Sequence, residues 1–346
     1  PSLSPVSQAD IEKYGDKWTQ PGNLVSSGPF KLDSWTVNER ISAVRNPNYW
    51  DNAHTVINKV TYLPIASGTA DVNRYKAGEI DITNTIPAPL FASLKKDLGS
   101  QVHVSPYLAV YYYAMNTQKP PFNDVRVRKA LNLAIDKSII ADKVLGQGQT
   151  PAWHLSPDNT GGFTFTKPQE ASLTQTQRNE EAKKLLTEAG FGPGHPLKFN
   201  LLYNTSEAHQ RIAIAAASMW KKNLGVDAVL QNQEWKTMLD TMHQGTYEVV
   251  RYAWIADYNE PSTFLNTLRT GNSENTPKFS NAAYDQALND ALKATDKAEV
   301  GKAYQRAEEV LTEQSPVIPL YHYVSTRLVK PYVGGFNDNL LNYIYT

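Results

Sequence analysis

Arg251 and Asp257 stand at the two ends of an apolar, aromatic run, Tyr252-Ala253-Trp254-Ile255-Ala256. Such a run should be buried, and charges at its ends are kept only where something pairs with them. A cation and an anion so placed are the groups that a zwitterionic ligand would satisfy. The residues over 247–254 have strand spacing, which puts Arg251 on one face with Val249 and Ala253. Asp257 follows in a loop rich in Tyr, Asn and Pro. Each has a plainer reading: an arginine at a strand edge reaching solvent or an acid, and an aspartate closing a turn or capping a helix. Asn204 ends another predicted strand, and His209 lies one turn into the helix after it. Together these residues fall at the carboxyl ends of strands, where open α/β sheets hold ligands. Trp235, Trp254 and Tyr258 serve equally as pocket wall or as core.

Other chemistry finds little support. There is no Gly-x-Ser-x-Gly elbow, no His-Glu-x-x-His helix and no phosphate loop. Gly146-Gln147-Gly148-Gln149-Thr150-Pro151 begins like a dinucleotide fingerprint but carries proline where the third glycine belongs. The seven histidines show no metal spacing, and the absence of cysteine removes disulfides, thiolate metal sites and cysteine nucleophiles. Ser206 and His209 share a helix face, but no acid is identified to orient the histidine as a hydrolase requires. No metal, cofactor or catalysis is expected. Lys+Arg and Asp+Glu both number 34, so no basic field of the kind nucleic acid demands exists. No apolar stretch reaches the eighteen or so residues of a membrane span. With 346 residues, 41% of them hydrophobic, the chain can build one large or two ordinary domains.

The elements that would position these residues read as α/β. Short strands with Asn/Pro turns occupy 30–63, a helix is predicted over 69–76, and Glu79-Ile80-Asp81-Ile82-Thr83 reads as a strand after Gly78. A β-forming run follows over 107–114, then a helix capped by Asn123 or Asp124, a second over 137–145, and a surface loop through Gly162. Helix 178–189, strand 197–203, helix 206–223 and strand 226–230 compose a βαβ unit and a partly parallel sheet. Helix 235–243, strand 247–254, a loop and helix over 261–268, and helices 282–295 and 299–314 come next, followed by strands 317–323 and 327–329. The chain opens as if in mid-domain, and an upstream region is expected.

Several long segments carry a resemblance: Asn46-Pro47-Asn48-Tyr49-Trp50-Asp51-Asn52, Val72-Asn73-Arg74-Tyr75-Lys76-Ala77-Gly78-Glu79-Ile80-Asp81, Pro121-Phe122-Asn123-Asp124-Val125-Arg126-Val127-Arg128, Trp220-Lys221-Lys222-Asn223-Leu224-Gly225-Val226 and Ala256-Asp257-Tyr258-Asn259-Glu260-Pro261. The chain resembles the cluster-C periplasmic solute-binding proteins of ABC importers, nearest to the oligopeptide- and murein-peptide-binding members, almost from end to end. The resemblance implies a two-lobed periplasmic-binding-protein fold, here partial, with residues 1–108 and 324–346 in lobe one and 109–323 in lobe two. It implies hinge strands near 107–110 and 321–326, a periplasmic location, a short peptide as ligand, a membrane permease as partner and a monomer when intact. Asp257 would hold the peptide α-ammonium, while Arg251 and His209 would meet carboxylates. The ligand backbone would add as a strand, and the side-chain pockets would be roomy and wet. Met242 stands where close relatives carry an arginine that reaches acidic ligands, and Ala109 and Ile255 replace a pair of cysteines that some relatives join. Dipeptide, haem or metal chelate remain alternative ligands within the family, and a truncated sensor or interaction module an alternative role.

Overall fold

The computed structural model describes residues 5–342. Helix α1 (Gln8–Tyr14), capped by the Ser7 side chain, precedes an antiparallel meander of β1 (Phe30–Thr36), β2 (Arg40–Arg45) and β3 (Lys59–Tyr62). The Asn-Pro-Asn turn after β2 is fixed from within, because the Asn46 amide donates to the carbonyls of Ser26 and Gly28 at 3.0 and 2.9 Å. None of the apolar side chains of β1–β3 is fully buried, and Trp35, Trp50, Val56 and Tyr62 in and around them are exposed.

Helices α2 (Gly68–Ala77) and α3 (Ala88–Leu98) form a small core of Val72, Tyr75, Ile86, Phe91 and Leu94 with Leu328. The strand expected at 79–83 is absent except for a single Ile82–Val329 bridge. The Glu79 and Gly78 amides are spent on closing α2, on Arg74 and Tyr75 carbonyls, which leaves only the last residues to reach a neighbour.

The main sheet has six strands in the order β5-β9-β4-β8-β6-β7. In chain order its elements and their helices are β4 (Val102–Met115), α4 (Val125–Leu133), β5 (Thr150–Pro151), α5 (Gln175–Glu188), β6 (Lys198–Asn204), α6 (Glu207–Leu224), β7 (Asp227–Gln233), α7 (Trp235–His243), β8 (Val249–Ile255), α8 (Ser262–Leu265), α9 (Ala282–Lys293), α10 (Lys297–Gln314) and β9 (Val317–Leu328). The expected βαβ unit is present: β6 and β7 pair in parallel around α6, and β6 also pairs in parallel with β8. Asp124 caps α4. The second helix expected over 137–145 is a π-helix, Ile139–Leu145, and β9 is one continuous strand rather than two.

Strand alternation distributes β4 between two cores. Tyr111, Tyr113 and Met115 pack under α4–α6, while Leu108, Val110, Tyr112 and Ala114 pack under α7–α10. Met242 is buried in the second core. Ala109 and Ile255 are direct partners in the β4–β8 register. The β4–β9 ladder runs from Val102 opposite Leu328 to Ala114 opposite Val317 but is irregular between Pro106 and Val110. There the Leu108 amide donates to the Leu340 carbonyl, and the Leu108 carbonyl accepts from the Ala256 amide.

The stretch from Gly146 to Gly162, expected as a surface loop, is largely internal. Gln147 donates to the Ile86 carbonyl at 2.6 Å, β5 joins the sheet edge, and both Glu308 oxygens accept the Leu155 and Ser156 amides at 3.0 and 2.8 Å. Partners for its backbone let this irregular segment be buried.

Candidate binding site

Because β6, β7 and β8 are mutually parallel and β9 shares their direction, Asn204, Gln233, Ile255 and Tyr323 all lie toward one edge of the sheet. This is the carboxyl edge, and the residues singled out in the sequence gather along it.

Arg251 faces Tyr113 across the β4–β8 ladder and is only 7% exposed. Its guanidinium donates to Asn204 Oδ1 and to the Tyr323 hydroxyl, each at 3.1 Å, and lies 4.7 Å from the centre of the Tyr111 ring. Nε has no partner, and no ion pair includes Arg251 among the described residues. An arginine stays protonated in a protein, so a fixed positive charge is buried here with neutral acceptors and a ring face but no carboxylate. His209, in the first turn of α6, lies with its ring 5.6 Å from that of Tyr111, and its Nδ1 has no partner. Burial, then the neighbouring Arg251, hold its pKa down to about 2, so the imidazole is neutral.

Asn204, His209 and Arg251 thus form one group, completed by two residues that the sequence did not single out, Tyr111 and Tyr323. Tyr111 stacks on Tyr321 at 4.9 Å and 19°, and Tyr321 in turn touches Tyr323. The available signal was parity: in the β4–β8 register Tyr111 and Tyr113 share the face of Arg251.

Trp254 takes the opposite face, with its indole Nε1 unpartnered, and Trp235, the first residue of α7, lies parallel to Tyr252 at 6.3 Å on that same side. These two tryptophans therefore do not wall the Arg251 group directly; they approach it only around the carboxyl edge. Asp257 sits two residues past the end of β8. Contrary to the expectation of burial it is exposed, and its side chain makes no hydrogen bond or ion pair among the described residues. The reason is local: the Ala256 amide is the last tied to β4, and the chain then turns, with Asp257 N–H donating to Thr263 Oγ1 at 3.0 Å and Glu260 receiving the Ser262 amide at the start of α8. Tyr258 shares this turn, its hydroxyl 3.0 Å from Ser262 Oγ.

Arg251 and Asp257 are not paired with one another. At about 3.3 Å per residue they are separated by up to ~20 Å along the strand direction. The space between is open, since Trp235, Ile255 and Tyr258 are 43%, 51% and 47% exposed. A buried cation and a free carboxylate at the two ends of an open, aromatic-flanked edge can orient an extended molecule bearing opposite end charges. Among the described residues no group of three His, Cys, Asp or Glu side chains is placed to hold a metal ion.

The model of the family of bacterial extracellular solute-binding proteins, family 5 (middle part), matches residues 1–276. The chain belongs to this family. It is 55% identical over 337 residues to the periplasmic oligopeptide-binding protein OppA of Salmonella typhimurium, covering 97% of the chain and 62% of that protein. Among solved structures it is similar to the Escherichia coli murein tripeptide binding protein MppA, with a TM-score of 0.93 at 50% identity over 96% of the chain and 65% of MppA. The Haemophilus influenzae OppA complex with RPPGFSPFR gives 0.90 at 46% identity, again over 96% and 65%. The unliganded open form of MppA gives only 0.69, at 49% identity over 96% and 64%. The chain thus spans less than two thirds of the length of these relatives. The fold is the mixed α/β arrangement of these binding proteins.

Proposed function

We propose that this chain forms the peptide-gripping part of a periplasmic solute-binding protein that hands short peptides to the membrane permease of an ABC importer. The observation that carries this reading is Arg251, a buried guanidinium with a free Nε and no acid, set on the same carboxyl edge as the exposed Asp257 carboxylate. Asp257 takes the α-ammonium of the peptide, and Arg251 with neutral His209 faces its carboxylate end. Main-chain pairing along the edge gives binding that depends little on side chains. Trp235, Trp254 and Tyr258 border the pockets on the far side of the edge. The names of the relatives, all binding proteins, support a role in binding.

The lower TM-score against the unliganded open form of MppA than against the other MppA structure supports a reading in which such a protein opens and closes about its ligand. The irregular β4–β9 ladder between Pro106 and Val110 is the natural hinge for the same motion here. The chain takes the arrangement that matches the RPPGFSPFR complex.

The test is calorimetric titration of the full chain with tri- to pentapeptides. Free-ended peptides are expected to bind, and Asp257→Asn to weaken them by about 10- to 100-fold, the worth of a charge-assisted bond. N-acetylated versions should bind weakly and be indifferent to the substitution. Equal loss for acetylated and free peptides would remove Asp257 from the amino-end role.

A further inference from the structure

Away from the carboxyl edge, where the start of β9 meets α4 and α10, a chamber of about 30 Å3 is lined by Asn132, Lys137, Trp153, Glu308 and Pro319, among others. It adjoins a vestibule of about 220 Å3, with which it shares Lys129, His154, Glu170 and Glu308 as walls. A single water needs roughly 10–15 Å3 of such space, so the chamber admits a small linear molecule.

Lys137 is only 3% exposed. Its Nζ donates to the Ala152 carbonyl at 2.9 Å and lies 4.7 Å from the centre of the Trp153 ring, which leaves two hydrogens unassigned. No ion pair includes Lys137 among the described residues: Glu170 is nearest to Lys129, at 4.0 Å, and Glu308 is committed to two backbone amides. The Arg178 guanidinium sits 5.1 Å from the same Trp153 ring. Burial, then Arg178, bring the ammonium down to about 7, against a smaller opposing pull from Glu170. Near neutral pH a large share is free amine, on a residue that lines the chamber. The nearby imidazole of His322 is held neutral by burial, and His154 is bonded to the Thr166 carbonyl.

We propose that Lys137 is a carbamylation site whose ε-amine adds carbon dioxide entering through the vestibule. The Nζ lone pair forms a bond to the carbon, one C=O electron pair moves onto oxygen, and one N–H proton leaves to solvent, giving a carbamate anion with no change of oxidation state. The geometry suits the product. The amine stands without an ion-pair partner, and Arg178 and Lys129 supply positive charge near the product against the carboxylates of Glu170 and Glu308. The one N–H that remains on the carbamate keeps the bond to the Ala152 carbonyl.

The experiment is carbon-13 NMR of the full chain equilibrated with labelled bicarbonate and carbon dioxide at pH 7.5. One carbamate signal beyond that of any free α-amine is expected, lost in Lys137→Met while the far-ultraviolet dichroism is unchanged. No such signal, or its persistence in the variant, overturns the proposal. Should Lys137→Met fail to fold, cyanate, which has the shape of carbon dioxide, decides on the unmodified chain by peptide mass mapping. Lys137 should be labelled at least ~10-fold faster than solvent lysines at pH 7, with a rate that falls above about pH 7, as HNCO is lost once the amine is already free, while theirs stays level until about pH 10. A Lys137 protected from cyanate overturns the site.

Discussion

At the scale of single residues, Arg251 is expected to separate ligand recognition from stability. A buried charge with no carboxylate offsets its desolvation only through Tyr111, Tyr323 and Asn204, so Arg251→Met is expected to change unfolding free energy by less than about 1 kcal/mol. Peptide affinity should nevertheless fall by at least ~10-fold. Urea unfolding read beside calorimetric titration checks this; a stability loss of several kcal/mol would make the guanidinium a structural group. His322 gives a pH dependence whose sign is fixed. Burial lowers its folded pKa to about 4 from an ordinary 6.5, so its contribution is complete above pH 6.5 and lost as pH falls toward 4. The full loss is about 3 kcal/mol. His209 acts in the same direction, and His322→Gln should flatten the acid limb of a stability–pH curve. That Arg251, Asn204 and His209 come together was legible from the strand ends and the helix start on which they fall. The exposure of Asp257 was not: β8 stops two residues earlier, and nothing in the residue types fixes where a strand stops.

At the scale of elements, the register makes one expectation sharp. The Ala256 amide bonds to the Leu108 carbonyl, so the next pair, Ala109 and Ile255, falls in a non-hydrogen-bonded position. Cα atoms there are about 4.5 Å apart, within the range a disulfide spans. Ala109→Cys with Ile255→Cys should oxidise spontaneously and raise stability by up to about 4 kcal/mol, seen as a higher melting temperature that falls back on reduction. The helices packed on the main sheet and the βαβ unit were legible through apolar spacing and glycine stops such as Gly225, whereas α1 and α3 were not anticipated. The buried path of 146–162 was not, because its burial depends on partners distant in sequence, Ile86 and Glu308. The union of the last two strands into β9 has the same cause, since the ladder to β4 carries the chain through Val324–Thr326 whatever their own preferences.

At the scale of the molecule, the irregular segment of the β4–β9 ladder lies between the small α2–α3 core and the two larger ones. Adding a tightly bound peptide should therefore shift the relative position of these bodies, read as a change in distance between fluorophores on Lys95 and Lys221. An unchanged distance with bound peptide would mean that the ladder does not bend. The two larger cores are bound together in another manner, since each takes alternate side chains of the same strand, β4. Pulling Tyr111 or Tyr113 out of one layer strips Tyr112 and Val110 from the other, so neither layer can melt while its neighbour stands. Heat should consequently be absorbed by this part of the chain in a single calorimetric peak.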